Sequence, residues 1–143
     1  MENGLIIENG IVKSGKDCEG VVEIPAGVTE IAKQAFYQNR KITGIIIPEG
    51  VTKIGSYSVN GCQALGFIEV PASVVSLGDD ALVKRIDTNW TFNHTMDSKT
   101  YLPEIRCVKG SFVDEALSKM KEDDEKLKGG THTNDHIFTV VYR

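Results

Sequence analysis

Residues 45–55 read IIIPEGVTKIG and residues 22–32 read VEIPAGVTEIA, which is nearly the same phrase. The prolines at positions 25, 48 and 71 hold its spacing at 23 residues. Apolar residues recur at that period in three columns, namely Val28, Val51 and Val74; Ile31, Ile54 and Leu77; and Phe36, Val59 and Leu82. A fixed period of this length predicts a solenoid, in which each repeat buries its apolar side against its neighbours.

Each repeat carries two short signals for extended structure. Ile45-x-Ile47 and Ile68-x-Val70 alternate in the way that strand residues do. The proline that follows has no N–H to give to a continuing ladder, so it ends the strand. A Gly-Val-Thr turn leads into a second short strand around Ile31 or Ile54. The stretch QAFYQN (34–39) then has room for a single helical turn.

The apolar spacing inside the repeat matches a known pattern. Two segments fit the core of leucine-rich repeats, Ile42-x-x-Ile45-x-Ile47 and Leu65-x-x-Ile68-x-Val70. With the proline, the V-T-x-I phrase and the Ala35-Phe36 pair, residues 22–82 resemble the BspA-like class of bacterial leucine-rich repeats. The resemblance implies an α+β solenoid, a short right-handed coil with a stacked-strand sheet. The sequence departs from the family pattern at Ser58-Val59, where Ala-Phe is usual, and after Leu82, where the third repeat fades.

Solenoids need atypical end segments to cover their apolar cross-sections. We interpret residues 4–24 as an N-terminal hairpin cap, because Asn9-Gly10 lies between apolar runs and favours a turn with two positive φ angles. Repeats then fill 25–82 of a single domain, 1–143. The segment 104–143 predicts a C-terminal helix-strand cap.

Three features define that C-terminal cap. Ser111 is expected to cap the helix and Gly129-Gly130 to end it, before a strand over 136–142. We interpret KMKEDDEKLK (119–128) as the solvated face of the helix.

Residues 83–103 interrupt the repeat. Ile45 follows Phe36 by nine residues, whereas its counterpart Ile105 follows Leu82 by 23, so the insertion adds about 14 residues. Insertions in repeat proteins form surface loops and often the binding face. This one holds Trp90 and Phe92, which either plug the last coil or contact a partner.

Composition narrows the class of protein. The chain has 143 residues, 41% of them hydrophobic and 25% charged, with a formal net charge of -4, as in a soluble globular domain. Basic residues are scattered, which argues against nucleic acid as a partner. No apolar run reaches the ~20 residues of a membrane helix. MENGLIIENG has no basic region followed by an apolar stretch, so we expect no signal peptide there.

The sequence offers weak candidates for chemistry. His132, Asp135 and His136 cluster in HTNDH, and His94 lies in the insertion, but HTNDH precedes a strand rather than sharing a helix face. We interpret the HTNDH histidines as surface residues and expect no metal and no cofactor. Cys62 is expected to be buried, unpaired and inert. No nucleophile–base motif or carboxylate pair stands out, so we do not expect an enzyme.

Alternation places a second set of side chains on the outward face of the stacked strands. Glu23, Ile46 and Glu69 form one outward column, and Val21, Gly44 and Phe67 form the next. These residues either meet a partner or are ordinary solvated sheet surface. Our candidate partner-binding residues are Glu23, Ile46, Phe67, Glu69 and, in the insertion, Trp90.

Two hypotheses for the function follow. The first is a non-catalytic protein-protein interaction module; the family resemblance implies a bacterial cell-surface or secreted adhesion protein whose partner is a host extracellular protein. The second is a cytoplasmic scaffold or self-associating structural repeat protein. The absence of a recognisable signal peptide favours the second setting.

Overall fold

A computed structural model describes residues 4–90, 96–127 and 132–143. Its elements in chain order are β1 (Ile6–Glu8), β2 (Ile11–Ser14), β3 (Gly20–Glu23), β4 (Glu30–Ile31), β5 (Ile42–Ile46), β6 (Lys53–Ile54), β7 (Phe67–Glu69), β8 (Ser76–Leu77), β9 (Arg85–Trp90), β10 (Met96–Tyr101), β11 (Glu104–Cys107), α1 (Phe112–Leu127), β12 (His132–Ile137) and β13 (Val140–Tyr142). The described part of the chain is therefore mostly short strands with one helix.

The longer strands of the repeats form one five-stranded sheet, which we call the longer sheet. Its strand order is β13-β11-β7-β5-β3, and all neighbouring strands are parallel. Ile45 of β5 pairs with Ile68 of β7, and Ile68 pairs with Ile105 of β11. The ladder thus resumes after the insertion at the residue that the repeat predicts. Val22, Ile45, Ile68 and Ile105 are all buried, because alternation turns them inward.

The two-residue strands of the repeats join β1 and β2 in a second five-stranded sheet, which we call the short sheet; its order is β1-β2-β4-β6-β8. Ile31 pairs with Ile54 and Ile54 with Leu77, so this ladder keeps the 23-residue period of the sequence. The N-terminal hairpin joins β1 and β2 through Asn9 and Gly10, whose φ angles are 52° and 76°. The turn predicted from Asn-Gly is confirmed. Residues 20–23 do not belong to the hairpin but form β3 of the longer sheet.

The segment predicted as a helical turn is not helical. Alternate amides donate to the next coil at 2.8–3.0 Å, from Gln34 to the Ser56 carbonyl, from Phe36 to Ser58 and from Gln38 to Asn60. The intervening amides of Ala35, Tyr37 and Asn39 close tight turns within their own coil. Gln34 and Gln38 have φ angles of 57° and 58°, a left-handed conformation that an α-helix does not contain. Stacking on the neighbouring coil therefore replaces helical hydrogen bonding.

The core lies between the two ladders. Ile31 and Ile54 from one sheet and Ile45 and Ile68 from the other line the same small internal space, of about 10 Å³, with Phe36. Each of these side chains is at most 2% exposed. Every repeat contributes inward residues from both of its strands, so no repeat completes its core alone.

Two glycines and one buried asparagine join neighbouring coils. A Cβ placed on Gly55 or Gly78 would run into the backbone of Lys33 or Ser56 in the preceding coil. Asn39 is buried, and its Nδ2 donates to the carbonyls of Gly15 and Cys18 at 2.9 and 2.8 Å. Its side chain thus satisfies buried carbonyls that the strand ladders leave open.

The insertion forms strands rather than an irregular loop. Strands β9 and β10 pair antiparallel, and β12 adds to β10 in parallel, which makes a third sheet. The strand predicted over 136–142 is in fact two: β12 ends at Ile137 and pairs with the insertion, whereas β13 begins at Val140 and joins the longer sheet. The single-strand prediction is wrong because the chain changes sheets at 138–139.

The helix begins as predicted, since the Asp114 amide donates to the Ser111 Oγ at 3.3 Å. The Asp114 carboxylate accepts from the Gly110 amide at 2.8 Å, which secures the turn before the helix. Gly129-Gly130 lies outside the described residues. No helix in the described ranges combines the length and apolar character that crossing a bilayer requires.

Candidate interaction surface

The outward face of the longer sheet carries two columns of side chains. Strand register places Val21, Gly44, Phe67 and Glu104 in one column and Glu23, Ile46, Glu69, Arg106 and Val141 in the other. Four of the sequence-predicted residues, Glu23, Ile46, Phe67 and Glu69, therefore lie on one surface. We call the part on β3 and β5 the N-terminal half and the part on β7, β11 and β13 the C-terminal half.

Phe67 is held in place by its neighbours on both sides. Its ring lies over Gly44 so closely that a Cβ at position 44 would overlap it. The Arg106 guanidinium carbon lies 4.0 Å from the centroid of the same ring, a cation–π contact. Phe67 is consequently half-buried, where the sequence pattern alone suggested an open aromatic side chain.

The charged groups of the C-terminal half pair with one another. Arg106 Nε donates to Glu104 Oε2 at 2.8 Å. Arg143 Nε lies 3.7 Å from Glu69 Oε1. Sequence reasoning missed Arg106 and Glu104, although both could have been found by carrying the register of Ile68 across the insertion to Ile105.

The N-terminal half is open by comparison. Val21 is 54% exposed, Glu23 is exposed and Ile46 is half-exposed. Among the described side chains no ion pair reaches Glu23. This half therefore presents a carboxylate beside apolar surface, while the other half satisfies its own charges.

The insertion adds a separate surface that is only partly described. Trp90 is the last residue of β9, and its side chain lies outside the described residues, as do Phe92 and His94. The alternatives of core plug and partner contact therefore stay open for Trp90. Arg85 at the base of the hairpin lies 4.4 Å from the ring centroid of Tyr101 on the paired strand.

The histidine in the C-terminal segment is not the surface loop residue that we expected. His136 lies in β12 with a side chain only 14% exposed, and its Nδ1 lies 2.7 Å from Asp124 Oδ1. The other oxygen of Asp124 accepts from the His136 amide at 2.9 Å. Asp124 is buried, so the interpretation of 119–128 as wholly solvated is also wrong. The pair fastens α1 to β12, and no sequence pattern links two residues on separate elements.

No cluster of three or more metal-ligating side chains occurs among the described residues. Cys18, Cys62 and Cys107 are free and buried, as expected for Cys62. Burial raises the pKa of the Cys62 thiol to about 11, and its Sγ lies 3.0 Å from the Phe36 carbonyl oxygen. A thiol in this state is protonated and a poor nucleophile at neutral pH.

The repeat and its ladders find a counterpart in a known family model. The model for the BspA type leucine rich repeat region matches residues 16–99 in six copies. The chain belongs to the BspA-type leucine-rich repeat family. No curated protein and no solved structure matches it.

Membership of the BspA-type family suggests a protein-interaction module, and such modules are typically non-catalytic. The matched range reaches beyond Leu82 into the insertion, further than the columns of the sequence show. At Ser58-Val59, where the family usually has Ala-Phe, the Ser58 Oγ donates to the Ala81 carbonyl at 2.7 Å. Val59 lines the small internal space beside Phe36 and Leu82, which fits the loss of an aromatic ring there.

Proposed function

We propose that the chain is a non-catalytic protein-interaction module whose N-terminal half of the outward face binds a partner protein. The observation that carries this proposal is the contrast between the two halves. Glu104, Arg106, Glu69 and Arg143 pair among themselves, whereas Glu23 has no ion pair within the described side chains. A partner gains most where polar groups are accessible and not already satisfied.

The chemistry of the surface defines the partner's chemistry. Glu23 would accept a lysine or arginine, and the apolar side chains of Val21 and Ile46 would pack against an apolar residue beside it. The Phe67 ring, fixed by Gly44 and Arg106, offers a rigid edge next to Ile46. Rigid aromatic groups lose little entropy on binding. The partner segment that fits is therefore basic with flanking apolar residues.

The proposal includes the handedness of the solenoid and the segments that cover its ends. We infer a short right-handed solenoid in which the hairpin β1–β2 caps the first coil, and α1 with β12 and β13 caps the last. Core residues of α1 support the second cap, because Val113 and Leu117 are buried in the same apolar cluster as the ladder residues. Such caps keep the stack from exposing apolar ends.

The family resemblance favours a bacterial cell-surface or secreted setting, with host extracellular proteins as partners. Glu69 and Trp90 remain candidate contacts in this proposal. A cytoplasmic scaffold would use the same surface with a partner from the producing cell, so the source of the captured protein separates the two settings.

The test begins with a pull-down against purified host extracellular proteins and the producing cell's lysate. Affinity for a captured partner is then measured for the parent protein and for Glu23→Lys. We expect the charge reversal to weaken binding at least tenfold, with an unchanged circular dichroism spectrum. The control is Glu49→Lys, the same charge change at an exposed position outside the two columns. Equal loss with both variants would mean a general electrostatic effect, and no loss with Glu23→Lys would remove the proposed site.

A second variant probes the rigid edge. Gly44→Ala introduces a Cβ where the Phe67 ring lies, and the ring must move because it is the flexible partner of that contact. Binding that depends on the fixed ring should weaken in this variant, while Phe67→Ala gives the limit for loss of the ring. If both variants bind like the parent protein, Phe67 is not part of the interface.

A further inference from the structure

The short sheet ends in a strand whose outer edge is not paired in the described part of the chain. Strand β8 has β6 as its one neighbour in the sheet order. The Val75 and Ser76 amides both donate to the Thr52 carbonyl, at 2.9 and 3.1 Å, and the Gly78 amide donates to the Ile54 carbonyl at 2.9 Å. These bonds all point back toward the preceding coil.

The repeat shows which backbone groups point the other way. One coil earlier, Thr52 and Gly55 donate to the Thr29 and Ile31 carbonyls at 2.9 and 2.8 Å. Because 75 and 77 are the positions equivalent to 52 and 54, the carbonyls of Val75 and Leu77 face outward with the same spacing. The amide of Leu77 lies between them, since alternate residues of a strand direct their amides to opposite neighbours. The edge thus offers two acceptors and one donor.

The side chains around this edge differ from those of the inner coils. Thr29 and Thr52 use their hydroxyls to bond the preceding coil, at 3.4 and 3.3 Å. Val75 replaces that threonine and is 62% exposed, the most exposed large apolar residue described. Asp79 is also exposed and Asp80 is half-exposed just beyond the strand. An apolar position followed by two carboxylates therefore lines the unpaired edge.

We propose that this edge binds an extended, basic segment of a partner protein by β-strand addition. Main-chain bonds to Val75 and Leu77 would supply the affinity, as in other cases where a peptide extends a sheet. An apolar side chain would cover Val75, and a lysine or arginine would meet Asp79 and Asp80. A second copy of the chain fits less well, because β1, at the other end of this sheet, reads IIE and brings no basic group. This surface is separate from the outward face of the longer sheet.

The protein supplies its own probe. Residues 49–57, EGVTKIGSY, form the segment whose amides pair with the equivalent edge of the first coil. A synthetic peptide of this sequence should add to β8, with its threonine and second glycine amides donating to the Val75 and Leu77 carbonyls. The matched control peptide carries N-methyl groups on these two amides, which removes the donors and leaves the side chains unchanged.

The measurement is an NMR titration of the isotope-labelled full chain with each peptide. We expect shifts centred on 75–80 and slower hydrogen exchange at the Leu77 amide with the parent peptide. The N-methylated peptide should bind at least about tenfold more weakly, since two hydrogen bonds are lost. A third peptide with lysine in place of its serine, which this register places opposite Asp79, should bind about threefold to fivefold more tightly, because opposite charges then meet.

Protein variants complete the test. Asp79→Lys should remove the gain of the lysine-substituted peptide and make it bind more weakly than the parent peptide. Val75→Thr restores the residue of the inner coils and should leave the fold unchanged while it reduces apolar contact. Equal binding of parent and N-methylated peptides, or no shifts at millimolar peptide, would overturn the proposal. Slow exchange at the Leu77 amide without any peptide would also overturn it, because the edge would already be occupied.

Discussion

Ile54 offers the sharpest test of the stacked register. It is 2% exposed, pairs with Ile31 on one side and Leu77 on the other, and lines the internal space of about 10 Å³. Ile54→Ala removes buried carbon from a site whose walls are fixed by two ladders, so the cavity will not close. We expect a loss of about 4 kcal/mol in the free energy of unfolding. For a domain of this size that is about 8–16 °C in melting temperature.

The assay is urea unfolding followed by circular dichroism, with two comparison variants. Ile54→Val removes one methylene-sized group and should cost about 1 kcal/mol. Glu69→Ala removes an outward side chain whose ion pair with Arg143 spans 3.7 Å, and should change stability by less than about 0.5 kcal/mol. If Ile54→Ala and Glu69→Ala cost the same, the assignment of inward and outward residues is wrong.

Three further predictions concern the contacts between coils. Gly78→Ala should destabilise the fold by at least about 2 kcal/mol in urea unfolding, because its Cβ meets the Ser56 backbone; an unchanged midpoint would contradict the close approach. Asn39→Ala should cost about 2–3 kcal/mol, since it takes the side-chain donor from the buried Cys18 carbonyl and the acceptor from the Lys41 and Ile42 amides, and a neutral result would argue against that role. Burial raises the pKa of the Cys62 thiol to about 11 in the folded chain from its ordinary value of 9.0, so the unfolded chain loses this proton first and stability should fall from pH 9 to 11. Cys62→Ala should lessen that fall, and an identical pH profile for the variant would refute the assignment.

The ladders could be predicted from the sequence because their contacts repeat at one period. Columns such as Ile31, Ile54 and Leu77 pair in the structure as the spacing requires. Ile105 could also be placed, since the insertion shifts the repeat without changing its pattern. The same contact occurs in successive repeats, so the prediction for one repeat is supported by the sequence of the next.

The turns could not be predicted in the same way. Gln34 and Gln38 have positive φ, and their amides bond to carbonyls one coil later, a partner that a local reading of QAFYQN does not contain. The local pattern favoured a helical turn, and stacking overrode it. Tertiary contacts of this kind decide short segments whose own propensity is weak.

The sequence of the insertion carries one signal for a strand. Ile86, Thr88 and Trp90 alternate with polar residues, which is typical of a strand with one covered face. The partner strand MDSKTY is polar, and β12 comes from far along the chain, so the pairing itself had no local sign. The Asp124–His136 pair is likewise a product of that docking.

The position of the candidate surface could be predicted, but the contacts of its side chains could not. Alternation placed Glu23, Ile46, Phe67 and Glu69 on the outward face. The register of Ile68 with Ile105 would have placed Arg106 on this face, but its contact with the Phe67 ring and the approach of Arg143 to Glu69 are seen only in the structure. The charged side chains of the C-terminal half are paired because Glu104, Arg106 and Arg143 follow the insertion and lie beside β7.

The most direct test of the proposed interaction is the footprint of a captured partner, measured by hydrogen exchange and NMR shifts on the full chain. The proposal predicts changes concentrated at residues 20–23 and 43–46, with smaller changes at Phe67. A footprint confined to β11 and β13, or to the β9–β10 hairpin, would contradict it.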